Sequence, residues 1–188
     1  GSLYLVERAQ EARNGNGDLL RFKLAQNDSV SLAFEEFTIP LDETSIAGYV
    51  ALSGEPVNEQ DAYHLPKGSP YTISRSFDET SGYRSKSMLV VPMRDHQDVV
   101  IGVVQLINKK RSRDTILDGP STFETEVLPF DEHDERLVRS LASQAAVSVE
   151  NNSLYLQREN LFARFVDAAV QAIESRDPTT QGHSRRVA

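Results

Sequence analysis

Residues 87–108 read SMLVVPMRDHQDVVIGVVQLIN, and this stretch decides the fold. Two runs rich in β-branched residues, 87–93 and 99–108, flank a short polar link at 94–98. Such runs are typical of strands, and a short link between them predicts an antiparallel pair. Their nearly continuous apolar character indicates that both faces of the sheet are covered. Gln105 is the polar exception, and a buried amide there needs hydrogen-bond partners.

Further strands are predicted ahead of this pair. Leu20, Phe22 and Leu24 alternate with basic residues, which is the two-residue period of a sheet with one wet face. The preceding NGNG at 14–17 is a turn signal, so residues 3–6 are predicted to be the partner strand of a hairpin.

The segment between the strand pairs predicts one short helix and one long loop. Thr44 or Ser45 can cap a helix over 46–53, which Gly54 then stops. Residues 59–86 mix proline, glycine, hydroxyls and aromatics, which indicates a long surface loop that includes one helical turn. Long loops on a sheet scaffold are frequent carriers of binding residues.

The chain after the sheet predicts a protruding loop at 109–129 and a helix of about 45 residues from Asp131. An acidic start suits a helix N-terminus, and no proline or glycine follows until Pro178. The helix carries an apolar stripe in its first half, formed by Leu137, Val138, Leu141, Ala142, Ala145 and Val149. The stripe continues through Tyr155, Phe162, Val166, Ala169 and Ile173. A second half that cannot reach its own core indicates a signalling helix or the seam of a parallel homodimer.

Composition excludes several classes of protein. The 188 residues carry a formal net charge of −8 and include no cysteine. An acidic chain is a poor partner for phosphates, and a chain without thiols has no disulfide, thiolate zinc site or cysteine nucleophile. No apolar run approaches the roughly 20 residues that span a bilayer. We therefore expect a globular cytoplasmic protein that contacts neither nucleic acid nor membrane.

Ordered matches along the chain resemble one known family. They are IAGYVA at 46–51, SGEPV at 53–57, DAY at 61–63, FD at 77–78, SGYRS at 81–85, LVVPM at 89–93, IGV at 101–103, QLINK at 105–109 and LASQAA at 141–146. Residues 3–157 thereby resemble a GAF domain. The resemblance implies an α+β fold, with an antiparallel sheet, helices on one face, a small-molecule pocket on the other and a long C-terminal helix after it. GAF relatives that reduce methionine sulfoxide or carry a bilin depend on cysteine, so the composition excludes both.

Four residues narrow the resemblance to one branch of the family. Asn108, Lys109, Phe130 and Asp134 have the spacing of the signature found in cyclic-nucleotide-binding GAF domains of phosphodiesterases. For Lys109 and Asp134, two roles are open: part of a nucleotide-competent pocket, or an ion pair that ties a strand end to the start of the long helix. We favour the ion pair.

The same branch implies a set of ligand-facing residues. Hydroxyls, a carboxylate and an amide would meet base or phosphate oxygens, and apolar side chains would form the walls. The alternative is that the hydroxyls only cap local turns. The predicted ligand-binding residues are Ile46, Ala47, Asp61, Tyr63, Ser81, Ser85 and Gln105.

Residues 161–188 carry a second resemblance. The sequence IESRDPTTQGHSRRV at 173–187 resembles the opening of an HD-GYP domain, a metal-dependent phosphohydrolase that cleaves cyclic di-GMP. Thr179 stands where that family has tyrosine. The resemblance implies that His183 is a ligand of a divalent metal, iron or manganese, in an intact domain whose other ligands would lie beyond Ala188.

Together the resemblances imply a non-catalytic sensory module that controls an attached HD-GYP phosphodiesterase in bacterial signalling. The expected organisation is a cloning remnant at 1–2, a GAF domain at 3–157 without its N-terminal helix, and a linker helix with the start of HD-GYP at 158–188. The four histidines do not have the spacing of metal ligands. His64, in the candidate ligand-binding loop at 59–86, is the one considered as a haem or metal contact. No cofactor is expected for the sensor. The alternative is a dimerisation scaffold with a vestigial pocket.

Overall fold

A computed structural model of the chain describes residues 1–8, 17–29 and 36–176, with side chains up to residue 172. Contacts divide the chain between residues 147 and 148 into two units. The strands are β1 Ser2–Glu7, β2 Leu19–Ala25, β3 Thr38–Pro40, β4 Val57–Glu59, β5 Met88–Arg94, β6 Val100–Ile107, β7 Lys109–Lys110 and β8 Val127–Leu128. The helices are α1 Ile46–Ser53, α2 Ser76–Ser81, α3 Pro120–Glu126 and α4 Glu132–Arg176.

Six strands form one antiparallel sheet in the order β3-β2-β1-β6-β5-β4, and β7 and β8 form a separate ribbon. The predicted pair β5–β6 is confirmed, with Val90 opposite Gln105 and Val91 opposite Val104. The predicted pairing of β1 with β2 is also confirmed. β1 further pairs with β6, where Leu5 lies opposite Gly102, and thus joins the two halves of the sheet.

Alternation along β5 divides the core between the two faces of the sheet. On one face Met88 and Val90 pack with α1, and Ala62, from the segment between β4 and β5, joins the same cluster. On the other face Leu89, Val91 and Met93 pack against the first part of α4 through Val138, Ala142 and Ala146. Both faces are covered, as the apolar strands predict.

Helix α1 has the predicted boundaries and uses Ser45 as its cap. The Ser45 hydroxyl accepts the N–H of Gly48 at 3.0 Å, and Gly54 ends the helix in the left-handed region at φ 70°. Gly48 is required by packing, because a β-carbon there would lie 2.0 Å from the carbonyl oxygen of Asp42.

The long helix α4 is confirmed, but its buried stripe differs from the predicted one. Val138, Ala142 and Ala146 are buried, whereas Leu137 and Leu141 are each 53% exposed. A spacing of four residues keeps the buried side chains on one narrow face, and small alanines let the helix approach the sheet closely. Asp131 caps the helix by accepting the N–H groups of His133 and Asp134.

The prediction of a protruding loop at 109–129 is wrong. The segment contains β7, α3 and β8, and its side chains Leu117, Phe123 and Val127 are buried around Tyr83. Three apolar residues at irregular spacing show no period in the sequence, yet they converge once α3 forms. The described part of the chain has no helix that is both long and apolar enough to cross a membrane.

Candidate functional site

The candidate site lies on the sheet face that carries α1. Ile46 and Ala47, in the first turn of α1, are buried in the same cluster as Met88 and Val90 of β5. Gln105 of β6 shares this face because it lies opposite Val90, and its side-chain amide donates to the Met88 sulfur at 3.3 Å. Three of the predicted ligand-binding residues are therefore brought together on one face.

Residues 59–86 contribute a second polar group on the same side of the domain, centred on Asp78. This carboxylate of α2 is 5% exposed and accepts the Tyr63 hydroxyl at 2.9 Å. It also accepts the Ser85 backbone N–H at 2.7 Å and the Ser85 hydroxyl at 3.0 Å. Burial, followed by the hydrogen bond to Asp78, raises the pKa of Tyr63. Sequence reasoning missed Asp78, although the FD pair at 77–78 was among the matched residues.

The Ser81 hydroxyl lies apart from this group. It donates to the carbonyl oxygen of Phe77 at 2.7 Å within its own short helix, and Ser81 is half-buried. It also accepts the backbone N–H of Tyr83 at 3.3 Å, after Gly82 ends the helix at φ 69°. In this structure the Ser81 hydroxyl therefore bonds backbone groups of its own turn, which is the alternative role named for the hydroxyls above.

Asp61 connects the turn before Tyr63 to Arg84. Its carboxylate accepts the Tyr63 N–H at 3.0 Å, His64 Nδ1 at 2.9 Å and Arg84 Nη2 at 3.0 Å. Burial opposes ionisation, but these hydrogen bonds prevail and lower the pKa of Asp61. His64 is mostly exposed, and no group of three metal-ligating side chains occurs within the described ranges.

Two guanidinium groups flank the Tyr63 ring. The Arg75 carbon Cζ lies 4.1 Å from the ring centroid and that of Arg84 lies 5.5 Å away. Cations attract the negative face of an aromatic ring at such distances. Tyr63 is therefore fixed at its hydroxyl by Asp78 and at its ring by arginine.

Asn108 fastens the end of β6 to the candidate loop. It is buried and adopts the left-handed backbone region at φ 59°. Its side-chain oxygen accepts the Lys86 N–H at 2.8 Å, and its side-chain nitrogen donates to the Arg84 carbonyl at 2.7 Å. Asparagine tolerates this backbone region better than most residues because its short side chain bonds locally.

Lys109 ties the same strand end to the start of α4. Its ammonium forms ion pairs with Asp134 and, at 3.1 Å, with Asp131. These carboxylates, Asp134 first, raise the pKa of Lys109. Phe130 packs into the cluster beneath α4, and its carbonyl accepts the Asn58 amide at 3.2 Å. The four signature residues thus form contacts that connect β6, segment 59–86 and the start of α4 in this structure.

The predicted metal ligand His183 lies outside the described residues.

Chemically, the arrangement suits recognition of a small molecule. One face combines the N-terminal turn of a helix, an amide and buried apolar side chains, and the adjoining loop holds a carboxylate, hydroxyls and two guanidiniums in fixed positions. The hydroxyls of Tyr63 and Ser85 both donate to the Asp78 carboxylate, which fixes their positions.

The chain was compared with protein families, and the model of the GAF domain matches residues 1–149. A curated relative, the dual 3',5'-cyclic-AMP and -GMP phosphodiesterase 11 of Drosophila melanogaster, is 32% identical over 167 residues. The match covers 82% of this chain and 10% of that protein, so the chain spans about a tenth of the relative's length.

Solved structures with the same fold are more distant in sequence. A segment of a methyl-accepting chemotaxis protein, residues 122 to 287, has a TM-score of 0.54 at 17% identity, and the match covers 82% of this chain and 79% of that one. A GAF domain from a phosphoenolpyruvate-protein phosphotransferase of Coxiella burnetii has a TM-score of 0.52 at 15% identity over 82% of this chain and 73% of that one. These structures share the fold.

Proposed function

Since the chain belongs to the GAF domain family, we propose that it is a regulatory module that senses a purine cyclic nucleotide on the α1 face of its sheet. The observation that carries this proposal is the packing of segment 59–86. Ala62, with Tyr71 and Ile73 partly buried beside it, joins the core cluster that contains Ile46 and Ala47. The polar loop and the first turn of α1 therefore border the same part of the sheet.

This face offers partners for each part of a cyclic nucleotide. Helix N-termini favour anions because their first N–H groups point outward along the helix dipole, so the start of α1 suits a cyclic phosphate. Gln105 can exchange its weak bond to the Met88 sulfur for a stronger bond to a purine edge. The Drosophila relative is a phosphodiesterase of cyclic AMP and cyclic GMP, which supports this ligand class.

The output of the sensor is proposed to be an HD-GYP phosphohydrolase. The support is the sequence IESRDPTTQGHSRRV at 173–187, with His183 as the ligand of a divalent iron or manganese ion in an intact domain. Helix α4 leads directly from the sensory unit into this sequence. The module itself is proposed to be non-catalytic and cytoplasmic, in a bacterial signalling protein.

We further propose that the chain forms a parallel homodimer. In the second unit, Tyr155, Phe162 and Val166 of α4 are exposed to solvent, and Phe162 is 66% exposed. An apolar stripe left in water favours association, and a second copy related by a two-fold axis is the commonest way to cover it. A parallel pair would present two output domains side by side.

The test of ligand binding is calorimetry with cyclic AMP, cyclic GMP and cyclic di-GMP. We expect at least one dissociation constant tighter than about 100 μM, since weaker binding would stabilise the fold negligibly at cellular concentrations. Gln105→Met should weaken that binding, and Gln97→Met, in the link between β5 and β6, serves as the matched control. Absence of heat with all three nucleotides would contradict the proposal.

One alternative function has a specific observation in its favour. The Tyr63, Ser81 and Ser85 hydroxyls all donate to groups within the protein. A network of this kind also suits a dimerisation scaffold with a vestigial pocket. A dimer in solution combined with no nucleotide binding would favour that reading.

A further inference from the structure

Helix α3 and segment 59–86 meet at one acidic side chain, Glu124. Arg84 Nη1 contacts one carboxylate oxygen, and Lys86 Nζ lies 2.6 Å from the other. Lys86 also donates to the carbonyl oxygens of Phe123 at 3.3 Å and Glu124 at 3.4 Å. Cations near the last carbonyls of a helix satisfy groups that have no partner within it. Glu124 thus holds two cations from the candidate loop.

Aromatic contacts join the same two segments independently of charge. The Phe77 and Tyr83 rings lie 6.4 Å apart, and Tyr83 meets Phe123 edge to face at 5.2 Å. Phe123 is 2% exposed, which makes it the anchor of the small cluster around α3. A row of rings therefore runs from α2 of the loop to α3.

The chain on either side of α3, residues 109–131, also reaches the start of α4. The ribbon pairs Lys109 with Leu128 and Lys110 with Val127, which brings the chain back beside the end of β6. Lys109 then bonds Asp131 and Asp134 at the start of the helix. Residues 109–131 thus follow the end of β6, pack on segment 59–86 through Glu124 and Phe123, and lead into α4.

We propose that residues 109–131 are a relay between segment 59–86 and the first turn of α4, with Glu124 as its clasp. Closed, Glu124 holds Arg84 and Lys86, and the relay keeps Lys109 on α4. Open, the two cations are released and the ribbon loosens at both ends. The backbone at 84–86 is held by Asn108, the residue next to Lys109, so a shift there reaches the helix through one peptide unit. The relay deepens the proposed function, because a ligand held by segment 59–86 would bias the clasp.

The test is hydrogen exchange measured by mass spectrometry on the ligand-free chain. Glu124→Gln removes the charge from the clasp, and we expect exchange to become about two- to five-fold faster both in 59–86 and in 127–135. The matched control is Glu126→Gln on the same helix, because the Glu126 carboxylate makes no ion pair among the described residues. Faster exchange confined to 120–126, or an equal effect of both variants, would overturn the relay.

A coupling between two places acts in both directions, which supplies a second arm. Asp134→Asn, at the α4 end, should speed exchange in 59–86, and Arg84→Gln should reproduce the pattern of Glu124→Gln from the loop side. No change in 59–86 with Asp134→Asn contradicts the relay. Because every arm uses the ligand-free chain, a failure of nucleotide binding in calorimetry rejects the proposed ligand and leaves the exchange result to decide the relay.

Discussion

The side-chain oxygen of Asn108 accepts a hydrogen bond from the backbone N–H of Lys86 at 2.8 Å. Asn108 also donates to the Arg84 carbonyl. One buried side-chain amide therefore satisfies two backbone groups of segment 59–86, which lie 22 and 24 residues earlier in the chain. The backbone at Asn108 is held in the left-handed region in the process, at φ 59°.

Asn108→Ala should lower the free energy of unfolding by about 2–4 kcal/mol, because it leaves the half-buried N–H of Lys86 without its acceptor and places alanine in an unfavourable backbone region. Asn108→Gly removes the same hydrogen bonds but tolerates positive φ, so its loss should be smaller. Urea unfolding of both variants measures the difference. Equal losses would show that the backbone conformation contributes little.

Asp78→Ala should destabilise the domain by about 2–4 kcal/mol, because the Ser85 N–H and two hydroxyls lose their buried acceptor. Tyr63→Phe removes only one of the three hydrogen bonds and should cost about 0.5–1.5 kcal/mol. Thermal and urea unfolding compare the two variants. If Asp78→Ala unfolds at the midpoint of the unmodified chain, the network does not hold the loop.

Phe123→Ala should cost about 3–5 kcal/mol, in the range for a large aromatic removed from a core. Phe77→Ala, which deletes a ring that is 40% exposed at the other end of the row, should cost clearly less. Denaturant unfolding is again the measurement. Equal costs would mean that segment 109–129 has no core of its own.

Asp131 should contribute a recognisable part of the acid limb of stability. The backbone N–H of Asp134, followed by the Lys109 ammonium, lowers the pKa of Asp131 from 3.8 to about 2. A carboxyl whose pKa is depressed by folding stabilises above its unfolded pKa and loses that stabilisation as the pH falls through the folded value. The melting temperature of Asp131→Asn should therefore lie below that of the unmodified chain at pH 7, and the gap should close between pH 4 and pH 2.

The control for this titration is Glu132→Gln, which neutralises the adjacent carboxylate, whose side chain is 95% exposed. Its melting temperature should follow that of the unmodified chain throughout the acid range. A gap for Asp131→Asn that stays constant to pH 2 would show that the carboxylate charge is not what stabilises the cap.

Phe162→Asp should convert the proposed dimer to a monomer, because it places a charge in the apolar stripe of the second unit. Gln157→Asp adds the same charge on another face of the helix, since five residues turn it by about 140°, and should leave the dimer intact. Light scattering at tens of micromolar distinguishes the species. A monomeric unmodified chain, or a dimer that persists in Phe162→Asp, would place any interface elsewhere.

The sequence predicts best where its signal is long and periodic. The strands β5 and β6 and the uninterrupted helix α4 follow from runs of residues that all indicate the same element. Segment 109–129 could not be predicted, because Phe123 finds its partner Tyr83 only through tertiary contact. Asp78 was missed for a related reason: an acidic residue on a six-residue helix is ordinarily a surface residue, and only the folded loop surrounds it with donors.

The pairing of β1 with β6 also bears on how the domain reaches its native state. The β1–β2 and β5–β6 pairs form between neighbours in sequence, whereas Ser2 must find Gln105 across most of the domain. Closing so large a loop is slow because its entropic cost precedes any contact that rewards it. Until then the edges of β1 and β6 are both open, and each can pair with the complementary edge of another nascent copy. Exchange of the β1–β2 arm between molecules is thus the misassembly to which this topology is most exposed.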